Sequence, residues 1–131
     1  MIRKARPADP RGALALEGEA AAAVALREAG MTILESRFRL RCGEIDLIAD
    51  DGGVVVFVEV KTRRGSRYGR PAESVTAVKR KRMARTASAY LKLRSWFERR
   101  ARFDVVEVFV EHGGRRTVHH IRDAFRIWPT G

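Results

Sequence analysis

Cysteine is almost missing from this chain: Cys42 is the one thiol among 131 residues. That excludes an intrachain disulfide and makes a reducing cytoplasm the expected setting. Cys42 has no obvious partner base and reads as a packed strand residue rather than a nucleophile. Long uncharged runs are also lacking. Glu17 and Glu19 interrupt the alanine-rich stretch that follows the basic N-terminus, which argues against a secretory signal. No segment approaches the roughly 18 to 20 apolar residues of a membrane span. Histidine is confined to His112, His119 and His120. No cysteine or carboxylate spacing around them completes a tetrahedral zinc set, so they are expected at the surface. A phosphate-cradling glycine loop and a Ser-His-Asp arrangement are both absent.

Acidic residues are scarce relative to basic ones. Lys and Arg total 27 against 16 Asp and Glu, a formal +11 with a pI near 11.1. Such an excess attracts polyanions, nucleic acid above all, although an anionic membrane or an acidic protein satisfies the same electrostatics. Between Lys61 and Arg102 there are 15 basic residues, opposed only by Glu73 and Glu98. Within that run Arg63, Arg64, Arg67 and Arg70, in an expected loop from Arg63 to Pro71, and Lys79 and Arg82, on a helix, are the expected phosphate contacts. Tyr68 either stacks on a base or covers the loop, and Trp96 and Trp128 read as core or rim residues.

At this length, residues 12–131 read as a single domain preceded by a mobile basic arm of residues 1–11. A helix is expected from Gly12 to Ala29, its apolar side drawn from Leu14, Val24 and Leu26, with Gly30 at its end. Strands follow at Thr32–Leu40, Glu44–Ala49 and Val54–Thr62, the last two joined by Asp50-Asp51-Gly52-Gly53. Thr76 offers the N-cap of a second helix reaching about Trp96, with Val78, Met83, Ala87, Tyr90 and Leu91 on one side. A fourth strand spans Phe103–Val110, then a short strand near Val118 and one helical turn over Asp123–Trp128. The order is an α/β arrangement of helix, three strands, helix, strand.

The chemistry-bearing pattern is a pair of short acidic segments, Gly43-Glu44-Ile45-Asp46 and Glu59-Val60-Lys61. Strand alternation puts Glu59 and Lys61 on one face and Val58 and Val60 on the other. Pairing of the two strands brings Asp46, with Glu44 in support, to the same end of the sheet. Hard oxygen ligands of this kind hold Mg²⁺ or Mn²⁺, and a lysine beside them can orient a water toward a phosphate. Such short patterns also occur as plain solvated charge on a hairpin. Here Val55 and Phe57 precede Glu59 on its own face, so the charges end an apolar surface, where a partner or metal is favoured.

The runs Arg41 to Ala49, Val56 to Arg63 and Gly69 to Thr76, together with Gly18-Glu19, Lys79 to Arg82 and Arg102 to Val106, resemble the YraN-type family of small bacterial proteins. That family is similar in turn to the restriction-endonuclease-like superfamily and the archaeal Holliday-junction resolvases. The resemblance implies an αβββαβ core with a mixed sheet flanked by helices. It implies a metal site of Asp46, Glu59 and Glu19 holding Mg²⁺ or Mn²⁺, with Lys61 as the fourth catalytic position. It implies an endonuclease acting on DNA, including branched recombination or repair intermediates. The superfamily often has proline before its Asp, where this chain has Ile45, and it includes members that only bind. A noncatalytic nucleic-acid-binding adaptor and a basic protein-interaction module therefore stay open. The resolvases act as dimers, which makes a homodimer one arrangement to expect, although no heptad pattern marks an interface.

Overall fold

The computed structural model describes residues 10–66 and 75–126 of the chain, with side chains from residue 12 onward. Tyr68, Trp128, Arg67 and Arg70 lie outside the described residues, as do positions 1–9 of the expected arm. Helix α1 spans Pro10–Glu28, two residues earlier than the sequence suggested, and proline suits a first helical turn because its missing N–H has no partner there. Its alanine run favours helix. Gly30 ends it at φ 94°: the Gly30 N–H donates to the Arg27 carbonyl and the Met31 N–H to that of Leu26, while Leu26 and Met31 pack together in one core. This is the double-bonded glycine stop that closes many helices.

The strands are β1 (Thr32–Leu40), β2 (Gly43–Asp51), β3 (Val54–Arg64), β4 (Ala101–Val110) and β5 (Arg116–Phe125), with helix α2 (Ala77–Leu93) between β3 and β4. They form one mixed sheet in chain order. β1, β2 and β3 run antiparallel, β3 and β4 parallel across the α2 crossover, and β4 and β5 antiparallel. The α/β core expected from sequence, with a mixed sheet flanked by helices, is what the chain forms. Gly52 and Gly53, at φ 59° and 99°, make the two-residue hairpin that closes the Asp51↔Val54 pair.

Each face of the sheet is buried under one helix. On the α2 side Ile45, Ile48, Val55, Phe57, Phe103 and Val105 meet Met83, Ala87 and Tyr90. On the α1 side Leu47, Val56, Val58, Val106 and Val108 meet Ala22, Ala23 and Leu26. Burial on both faces explains why β3 and β4 read as nearly unbroken apolar runs. Tyr90 anchors the first core between Phe38, Phe57 and Trp96, and its hydroxyl donates to Glu35 Oε2 at 3.1 Å. Burial, then the neighbouring Glu35 charge, pushes that phenol up to about 12.

Several sequence expectations are corrected. Val24 is half exposed, because two residues along a helix is a 200° turn and Leu26 takes the core side. Val78 likewise faces outward. α2 ends at Leu93 rather than near Trp96, with Ser95 at φ 58°. Arg63 and Arg64 are not in a loop; they extend β3, opposite Phe109 and Val110, since β4 offers backbone partners that composition does not announce. The short strand near Val118 is ten residues long and absorbs Asp123 to Phe125, so the expected helical turn does not form there. His119 and His120 are half-buried rather than superficial: His119 Nδ1 lies 3.0 Å from Glu107 Oε1, and His120 Nε2 2.7 Å from Asp104 Oδ2.

Gly18 sets how closely α1 approaches the sheet. An added Cβ would lie 1.8 Å from Thr62 Oγ1 and 2.8 Å from its Cβ, so the helix backbone rests directly on the Thr62 side chain of β3. Glu19, the next residue, is thereby held over the end of β3. In a free helix Gly→Ala gains about 1 kcal/mol. Gly18→Ala is instead expected to destabilise the protein by roughly 1–3 kcal/mol through overpacking. Thermal unfolding tests this, and an unchanged or raised melting temperature would show that the contact is not tight.

Candidate functional site

The paired register of β2 and β3 stops at Leu47↔Val58. Beyond it the strands part, and the Val60 N–H that would continue the ladder donates to the Asp46 carboxylate instead, at 2.8 Å to Oδ2. Asp46 is thus fixed at the mouth of the opening, facing Glu59 on the next strand. Glu59 is 4% exposed and follows Val55 and Phe57 on the α2 face of β3 by strand alternation. Asp46, Glu59 and Glu19 line one cleft of about 570 Å³, walled on the other side by the first turns of α2.

Thr76 builds that wall. Its side chain accepts from the Lys79 N–H at 3.2 Å as the N-cap of α2, which satisfies one of the free donors of the first turn. The cap brings Lys79 over the sheet, where its ammonium pairs with Glu59 Oε2. Burial alone would lower the Lys79 pKa; the hydrogen bond to Glu59 and the charges of Glu59, Asp46 and Glu44 raise it overall. Arg82 lines the cleft as well.

On the opposite side stands Arg37. The β1–β2 register runs from Ser36↔Leu47 to Phe38↔Ile45, which sets Arg37 across from Asp46. Its φ of 52° is left-handed, a conformation that costs a non-glycine residue of order 1–2 kcal/mol. From there its Nε–H donates to Glu19 Oε1 at 2.9 Å. The hydrogen bond to Glu19, followed by the charges of Glu19, Glu44 and Asp46 and opposed by slight burial, raises the Arg37 pKa.

Lys79 and Arg37 pair with Glu59 and Glu19, and the Asp46 carboxyl takes neither. Burial first, then the charge of Glu59, lifts the Asp46 carboxyl from 3.8 to about 8; the Val60 N–H opposes this, while a hydrogen bond with Glu59 and the charge of Glu19 add to it. Burial and the adjacent Glu59 charge thus favour the protonated form of Asp46, as crowding of carboxylates in a desolvated site does.

The expected site residues fall into three groups. Asp46, Glu59 and Glu19 share the cleft, with Lys79 and Arg82 on its α2 wall. Glu44 is at its edge, its carboxylate bonded to Arg39 at 3.0 Å. Lys61 shares the Glu59 face two residues further along β3, half-buried and in register with Glu107 of β4, outside the cleft lining. Arg63 and Arg64 continue that strand. Sequence reasoning missed Arg37 altogether, since nothing in the composition around it marks a left-handed arginine. It also took Lys79 for a phosphate contact alone, whereas the ammonium is bound to Glu59.

The carboxylate pair fits a hard divalent cation by its chemistry: two oxygen donors already compete for one proton, and a cation would relieve the same repulsion. Glu19, held by Arg37, does not complete the set as it stands, and among the described residues no group of three or more His, Cys, Asp or Glu is arranged to hold a metal. In the metal-free protein the raised carboxyl pKa has a definite sign. Its contribution to stability is fully present below about pH 4 and is lost as pH rises through about 8. Asp46→Asn keeps an acceptor for Val60 and carries no charge, so its melting temperature is expected to exceed that of wild type above about pH 8. A wild-type pH–stability curve identical in slope to that of Asp46→Asn would contradict the assignment.

The match to known proteins is extensive. The model of a family described as Uncharacterised protein family UPF0102 covers residues 18–108, from Gly18 to the far half of β4. A UPF0102 protein of Symbiobacterium thermophilum is 55% identical over 108 residues, covering 82% of this chain and 92% of its own length. One of Rhodococcus opacus is 50% identical over 113 residues, covering 86% and 96%, and one of Geotalea uraniireducens is 40% identical over 111 residues, covering 85% and 87%. On that breadth of similarity, the chain belongs to the UPF0102 family.

Proposed function

We propose that this protein is a Mg²⁺- or Mn²⁺-dependent phosphodiesterase of the restriction-endonuclease-like superfamily, acting on DNA and able to take branched or processed structures. The observation that carries this reading is the pairing of Asp46 and Glu59 in an open cleft at the splayed end of β2 and β3. The α/β order with its mixed sheet supports the superfamily placement. A divalent cation held by Asp46 and Glu59 would lower the pKa of a bound water and offset charge on the scissile phosphate. With such a cation bound Asp46 would be ionised, its proton passing to solvent. Glu19, if released by Arg37, would be a third oxygen donor, and Arg37 would then be available to a phosphate, for which its planar fork is suited. Lys61 brings a compact positive charge to the Glu59 face of β3, the place from which an attacking water can be oriented.

Polyanion attraction follows from the +11 formal charge. Arg82, Lys79 on release from Glu59, and Arg63 and Arg64 lie on or beyond the cleft wall; Arg67 and Arg70 belong to the same contact set by sequence. With four to six phosphates neutralised, log affinity for duplex DNA should fall against log salt with a slope of about −4 to −5. No helix among the described residues is long and apolar enough to cross a membrane, and a homodimer is the arrangement suggested by the junction-resolving proteins.

A second reading has its own support: Lys79 occupies Glu59 and Arg37 occupies Glu19, the state expected of a noncatalytic adaptor that binds nucleic acid and has replaced a cation by fixed positive charge. Incubation with linear, flapped and four-way DNA plus Mg²⁺ or Mn²⁺ separates the two. Cleavage is expected in wild type and its loss, at least a hundredfold, in Asp46→Ala, Glu59→Ala and Lys61→Ala, with salt-sensitive binding retained. Metal-independent cleavage, equal in wild type and variants, would refute the site, and binding without cleavage of any substrate would establish the adaptor.

A further inference from the structure

The outward side of α2 carries a basic stripe, interrupted between Arg85 and Lys92. The helix carries Lys79, Arg80, Lys81, Arg82, Arg85 and Lys92 and no acidic residue. Lys79 pairs with Glu59, and Arg80 donates to the Val75 carbonyl and lies over Phe125. Lys81, Arg82, Arg85 and Lys92 are exposed and form no ion pair among the described residues. At 1.5 Å per residue the stripe runs about 21 Å from Lys79 to Leu93, the length of roughly six stacked base pairs.

That stripe leads away from the carboxylate cleft to a different kind of surface at the opposite end of β3. Leu93 and Phe97 are 68% and 72% exposed, large apolar side chains in a region otherwise crowded with arginine. Trp96 beside them is covered by two guanidiniums, Arg94 Cζ at 4.5 Å and Arg99 Cζ at 4.1 Å from its ring centre. The next cleft, about 740 Å³, opens here between the end of α2 and the start of β4. Most of its arginines are already engaged: Arg99 with Asp50 and the Gly53 carbonyl, Arg102 with Asp51 and Asp104, Arg126 with Asp123. Arg100 is the exception, exposed and without an ion pair among the described residues. It lies three residues from Phe97, hence within about 11 Å of it, and Glu98 is the one acid of the connecting turn.

We infer that Phe97 and Arg100 form a second nucleic-acid contact, in which Phe97 stacks on an unpaired base and Arg100 binds its phosphate, while duplex lies along α2 toward the carboxylate cleft. An exposed phenylalanine ring takes any base, because every base presents a π-face, and a neighbouring guanidinium tracks the backbone. The charge of α2, basic at both ends with no acidic residue, suits a polyanion rather than an apolar protein surface. A molecule bound this way would recognise a junction between paired and unpaired strands at a set distance, about six base pairs, from the cleft. The inference rests on nucleic acid being the partner, but not on cleavage.

Fluorescence anisotropy in EDTA tests it, with two DNA probes of equal duplex length, one blunt and one carrying a short single-stranded tail. Wild type is expected to bind the tailed probe more tightly. Phe97→Ala should weaken tailed binding roughly tenfold and leave blunt binding unchanged, Phe97→Trp should restore it, and Arg100→Ala should reduce the salt slope on the tailed probe by about one. A combined Arg85→Ala and Lys92→Ala variant should weaken both probes alike. Equal affinity of wild type and Phe97→Ala for the tailed probe, with both binding, overturns the anchor while leaving the cleft assignment intact. Failure of wild type to bind either probe at low salt overturns the nucleic-acid reading itself.

Discussion

Asp46 and Glu59 sit side by side in a cleft that is largely shielded from water, and the surrounding structure is arranged about the repulsion between their carboxylates. The splaying of β2 from β3 creates the space, and the Val60 N–H pins one partner in it. The apolar run Val55 to Val58 buries the strand that carries the other. Burial and the Glu59 charge raise the pKa of one carboxyl, that of Asp46; the other takes the Lys79 ammonium. Both responses leave the pair ready to exchange its present counter-charge for another.

The helices serve this point from opposite faces. α1 delivers Glu19 because Gly18 lets the helix backbone rest on Thr62. α2 delivers Lys79 and Arg82 because Thr76 caps it at the cleft wall. Arg37, twisted into a left-handed conformation on the neighbouring strand, ties Glu19 down. A buried core on each side of the sheet makes these placements rigid, since close-packed interiors move by rearrangement rather than by gradual give.

Local patterns were legible where local physics decides. β1 has the boundaries its sequence suggests, Thr76 is the N-cap of α2, and Glu59 follows the alternation set by Val55 and Phe57. β5 was largely hidden, because what holds it is distant in sequence: His120 on Asp104, His119 on Glu107, and Phe125 stacked on Phe103 at 4.9 Å. Its own residues, with arginine, histidine and aspartate on both sides, show no apolar alternation. Arg63 and Arg64 read as loop for the same reason, their strand character coming from β4. Within the cleft, the acidic pair was visible as a spacing, but the lysine and arginine that neutralise it come from elements whose docking no spacing encodes.

Charge divides the molecule further. The acids gather at the cleft and at the arginine network around Asp51 and Asp104, leaving α2 with basic charges and no acidic ones. A polyanion drawn to that side meets the carboxylates at one end and exposed aromatic surface at the other. A cation taken at the carboxylate end, as proposed, would displace the Asp46 proton, and that can be measured without any substrate. Potentiometric titration of the purified protein with Mn²⁺ at neutral pH should release about one proton per chain from wild type and none from Asp46→Asn. Saturating Mn²⁺ with no proton release, or equal release from both proteins, would contradict a cation site built on Asp46 and Glu59.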